Sequence, residues 1–64
     1  MKVRQVELVS EKTHTVVWVN ADLKLTPGVD ITGGDGRLWK VTQVYACTLE
    51  LDQINHKWEV GGLA

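Results

Sequence analysis

Phenylalanine is absent from this chain, cysteine and proline occur once each, and neither sign of charge dominates. Each shortage removes options. A single cysteine, Cys47, permits neither an internal disulfide nor a zinc site built on cysteine pairs, so a domain of 64 residues has only burial to hold it together. Flanked by Tyr45-Ala46, Cys47 reads as a small buried apolar side chain, and a lone cysteine fits a reducing compartment. Seven Lys and Arg against eight Asp and Glu leave a net charge of −1 with no run of one sign. That balance argues against nucleic acid as a partner, because phosphate binding draws on a concentrated positive field. No apolar run approaches the ~20 residues of a membrane span, and residues 1–20 carry no signal-peptide block. The expectation is a cytoplasmic protein with no membrane partner and no cofactor.

What is present is alternation. Residues 3–10 place Val6 and Leu8 on one side and Gln5 and Glu7 on the other, and residues 13–19 are rich in β-branched side chains around Trp18. With Glu11-Lys12 as a short polar connection, the two segments predict a hairpin. Leu23 and Leu25 alternate with Lys24 before Pro27-Gly28, a turn signal in which proline presets one φ and glycine supplies a positive one. Val29 and Ile31 open a third strand, which runs into Gly33-Gly34-Asp35-Gly36. Asp35-Gly36 is a dipeptide favoured in primed hairpin turns.

Residues 37–45 form the longest strand candidate, with Trp39 and Val41 on one face. Val44 breaks the alternation, which predicts a bulge near Thr42 or Gln43. Leu49, Leu51 and Ile54 among polar neighbours suggest a turn of helix near residues 50–56. Residues 58–60 make a last short strand, and residues 61–64 read as a frayed tail. The whole chain, 1–64, is read as a single small mainly β domain, an SH3-like antiparallel barrel of about five strands with one short helical turn.

From Leu23 to Trp58 the order of segments is similar to that of very small hypothetical proteins encoded by tailed bacteriophages. The residues that carry the resemblance are Val29-Asp30-Ile31-Thr32, Arg37-Leu38-Trp39-Lys40-Val41 and Asp52-Gln53-Ile54-Asn55-His56-Lys57-Trp58, with Val6 and Val17-Trp18-Val19 matching an opening hairpin. The chain departs from them in its glycine-rich loop at residues 33–36 and in its ending at residues 59–62. The resemblance implies a phage origin, hence the host cytoplasm, and no catalytic residues.

Catalytic chemistry has little to build on. His14 and His56 are the only histidines, and neither stands beside a nucleophile motif. A metal site from His14, Asp52 and His56 is not required by any spacing. Glu50 and Asp52 read as a solvated face. Residues 33–37 lack the Lys-Ser or Lys-Thr pair and the following helix of a phosphate-binding loop. The chain reads as no enzyme.

Tryptophan is the informative residue type. Three indoles bring large apolar area into a very small domain. Trp39 is placed in the core, with Trp18 or Trp58 partly exposed. Trp18, Arg37, Tyr45 and Trp58 are therefore the candidate binding residues, since such side chains dominate binding centres. The expected function is a protein-interaction module that meets a host or virion protein through an aromatic patch. The alternatives are a homo-oligomeric assembly protein and a weak nucleic-acid binder using Arg37, Lys40 and Lys57.

Overall fold

Alternating β-branched and polar residues give the chain its first hairpin. In the computed structural model, which describes residues 1–63, β1 (Lys2–Ser10) and β2 (Thr13–Asn20) pair antiparallel, from Val3 opposite Asn20 to Ser10 opposite Thr13. Glu11 and Lys12 make the connection, and Glu11 adopts φ of 53°. A two-residue hairpin loop needs such a positive value at its first central position and normally assigns it to glycine.

Beyond β2, the Asn20 side chain accepts the Asp22 N–H at 2.9 Å and turns the chain. Leu25 then drops into the core, 6% exposed, without joining a strand. The turn at Pro27-Gly28 forms as its sequence predicts. Gly28 has φ of 97°, and the Val29 N–H donates to the Thr26 carbonyl at 3.2 Å.

β3 (Asp30–Gly33) and β4 (Leu38–Glu50) form the second hairpin. Its loop differs from the primed two-residue turn. The Gly36 N–H donates to Gly33 O at 3.0 Å, the Gly33 N–H donates to Arg37 O at 2.8 Å, and Gly36 has φ of 86°. This is a three-residue loop closed by a bulge. Asp35 favours it by accepting the Arg37 N–H on Oδ1 at 2.9 Å.

β4 is 13 residues long and pairs with both β3 and β1. Glu7 faces Gln43 while Leu8 faces Val41, which leaves Thr42 as an extra residue. The bulge expected there is present. The Thr42 hydroxyl reaches back to Glu7 Oε1 at 2.7 Å. A second slip sets residues 45–47 against Gln5 alone, between the pairs Arg4–Thr48 and Val6–Val44. Extra residues of this kind bend a strand and tighten its twist. They also end the alternation, and Cys47, expected to be buried, is exposed.

A 3₁₀ turn at Leu51–Gln53 follows, within the stretch expected to be helical, and the Glu50 N–H caps onto Gln53 Oε1 at 2.9 Å. The last strand corrects the sequence reading. β5 (Val60–Leu63) begins at Val60 and does not fray: Val60 pairs with Gly33 and Gly62 with Thr32, with Gly61 as the extra residue at a register shift between them. Glycine allows it: a Cβ on Gly61 would lie 2.6 Å from the Gly33 carbonyl oxygen. Ala64, the end of the expected tail, lies outside the described residues.

The five strands form one antiparallel sheet in the order β2-β1-β4-β3-β5. The ladders do not close into a barrel. Among the described residues, one backbone bond, from the Trp58 N–H to Trp18 O at 2.7 Å, crosses from the segment before β5 to the β2 edge. Register assigns Val6, Leu8, Val17, Val19, Ile31, Trp39 and Val41 to one face. All of these but Val17 make the core together with Leu25, and Val17, Leu23, Val29, Val44, Trp58 and Val60 pack against it.

Candidate binding surface

The face of the sheet opposite this core follows from the same registers. It carries Val3, Gln5, Glu7 and Val9 of β1, His14, Val16 and Trp18 of β2, and Leu38, Lys40 and Leu49 of β4. Val3, opposite Leu49 and Asn20, is fully buried there. Other large apolar side chains of this face remain open. Leu38 is 56% exposed, Val16 46% and Leu49 37%.

Two shallow depressions are found among the described residues. One, of about 410 Å³, is lined by Trp18, Leu49, Gln53, Ile54, Asn55 and His56. Apolar side chains from β2 and β4 supply one wall, and the chain leaving the 3₁₀ turn supplies the other. The second, of about 440 Å³, lies where the end of β1 meets the start of β4, with Val9, Glu11, Arg37, Leu38, Trp39 and Lys40 in its lining. The Ser10 hydroxyl ties the two strands together there by donating to Leu38 O at 2.9 Å.

The sequence-predicted binding residues are not gathered into one patch. Arg37 is exposed and lies over the Trp39 ring, 5.5 Å from its centroid. Trp58, half-buried, meets the same indole edge-on, with centroids 6.5 Å apart and planes at 88°. Arg37 and Trp58 are thus joined through Trp39, which is 8% exposed. Trp18, half-buried, belongs to the other depression and meets Trp58 through the backbone bond already described. Tyr45 is half-buried in the out-of-register stretch of β4 and lines neither depression. Leu38, Leu49 and Ile54 were missed as surface residues. For Leu38 a signal existed, because strand alternation turns it away from the face that Trp39 buries.

Charge is partly paired among the described residues. Lys40 bridges to Asp30 at 3.1 Å and Lys57 to Glu59 at 3.2 Å, so two of the cations proposed to follow a phosphate backbone are already engaged. Arg37 has no carboxylate partner among the described residues and is held by the Trp39 ring instead. The Trp39 indole N–H is buried without an acceptor among the described residues. His14 and His56 are exposed, and no three His, Cys, Asp or Glu side chains gather as a metal site among the described residues. No helix among them is long and apolar enough to cross a membrane.

Comparison of the chain with protein-family models, with curated proteins and with solved structures gives no match.

Proposed function

We propose that this chain is a non-catalytic protein-interaction module of bacteriophage type, acting in the host cytoplasm, which binds a host or virion protein through the outer face of its sheet. The observation that carries the reading is the one-sided placement of Leu38, Val16 and Leu49, exposed on the face opposite a closed core. A chain this small leaves such side chains in water at a cost in solubility, and a partner removes them from it. Trp18, beside Leu49 in the same depression, is the natural anchor. The phage origin rests on the resemblance of residues 29–32, 37–41 and 52–58 to segments of small phage proteins. An SH3-like architecture is part of the proposal, supported by the curl of β4 and the Trp58–Trp18 bond across the open side of the sheet.

Affinity capture from host lysate with the wild-type chain and a Leu38→Ser/Leu49→Ser variant tests the surface. The variant is expected to lose a protein that wild type retains. Equal recovery of every captured protein by both forms refutes the assignment.

A further inference from the structure

We propose that two copies of the chain join edge to edge through β2, antiparallel, with Thr15 of each copy facing Thr15 of the other. The inference is independent of the outer-face reading, because it uses backbone groups at a sheet edge.

The directions of those groups follow from two hydrogen bonds. The Ala21 N–H donates inward to Lys2 O at 2.9 Å, whereas Trp18 O accepts the Trp58 N–H from the outside at 2.7 Å. Backbone groups alternate along a strand. Odd-numbered residues of β2 therefore bond to β1, and His14, Val16, Trp18 and Asn20 aim their N–H and C=O groups away from the sheet. Asn20 O is taken by the Leu23 N–H at 3.1 Å, and Trp18 O by Trp58. Among the described residues, His14 and Val16 have no partner for either group.

Two residues with both groups free, separated by Thr15, are half of an antiparallel ladder that their own copy completes. A two-fold axis through Thr15 sets His14 against Val16 of the second copy and Val16 against His14. Each such pair exchanges two hydrogen bonds, and every free group of both residues is used. Centring the axis on Val16 instead would direct the His14 N–H at Trp18 O, where Trp58 already sits. The existing contact therefore argues against the Val16-centred register.

The composition of β2 favours self-pairing over protection. Its eight residues, Thr-His-Thr-Val-Val-Trp-Val-Asn, include no Lys, Arg, Asp, Glu, Pro or Gly, the residues that usually blunt an edge. In the Thr15-centred register Thr13 faces Val17 and no acidic or basic side chain meets its like. Val16, 46% exposed in one chain, gains a cross-strand neighbour in His14 of the second copy. The same patch serves both copies, so the assembly closes at two.

Sedimentation velocity across a concentration series tests the assembly, and cysteine cross-linking tests the register. Wild type is expected to shift from one chain of 7.1 kDa to twice that mass as concentration rises. Val16→Pro removes an outward N–H and no intramolecular bond, so a folded variant is expected to remain monomeric. A wild-type monomer up to about 1 mM, or a folded Val16→Pro variant that dimerises as wild type does, overturns the proposal. Should Val16→Pro fail to fold, cross-linking decides. In a Cys47→Ser background, Thr15→Cys under mild oxidation is expected to give covalent dimer at least about tenfold faster than Thr13→Cys, because only residue 15 faces itself at disulfide range. Equal rates overturn the register.

Discussion

Val16 and Val17 are adjacent in β2 and chemically identical, yet Val17 packs on the core and Val16 is 46% exposed. Leu38 and Trp39 repeat the contrast in β4, at 56% and 8% exposure. Hydrophobicity does not distinguish the members of either pair; strand parity does. The sheet has one face whose apolar residues find each other and one face whose apolar residues, apart from Val3, stay half-buried or exposed. The inner face accounts for stability. The outer face has area to offer a partner.

Truncations on the two faces should break the comparison if it is wrong. Ile31→Ala, at a fully buried inner position, is expected to lower unfolding free energy by about 2–5 kcal/mol. Urea unfolding followed by tryptophan fluorescence measures it, and a loss below 1 kcal/mol would mean that the inner face is loosely packed. The next effect concerns how that face is completed by β5. Gly61→Ala drives a methyl group toward the Gly33 carbonyl and is expected to cost about 1–3 kcal/mol. An unchanged denaturation midpoint would show that β5 contributes nothing to the fold. Leu38→Ser, on the outer face, is expected to move stability by no more than about 0.5 kcal/mol. A cost like that of Ile31→Ala would erase the distinction between the faces.

Local chemistry made much of the fold legible. The Pro27-Gly28 turn, the two-strand opening and the extra residue at Thr42 all depend on neighbours within a few positions, and each was readable from them. The ending was not. Gly61-Gly62 resembles a loose tail unless one knows that Gly33 will lie against Gly61, a contact set by tertiary approach. Cys47 failed for a related reason, since a second slip between β1 and β4 cannot be seen from either strand alone. In the candidate surface, residue types were legible and their grouping was not. Arg37 and Trp39 share a strand face by spacing, but the meeting of Trp58 with Trp39, and of Trp18 with Leu49 and Ile54, follows from the sheet order.

The long pairing of β4 with β1 also sets an order of events during synthesis. The β1–β2 hairpin can close within ~1–10 μs once its residues are free. Its inner side chains Val6 and Leu8 nonetheless wait for Val44 and Val41, and Lys2 waits for Glu50. Until that distant stretch leaves the ribosome, β1 presents a second bare border, the kind of unpaired edge through which incomplete chains pair with one another.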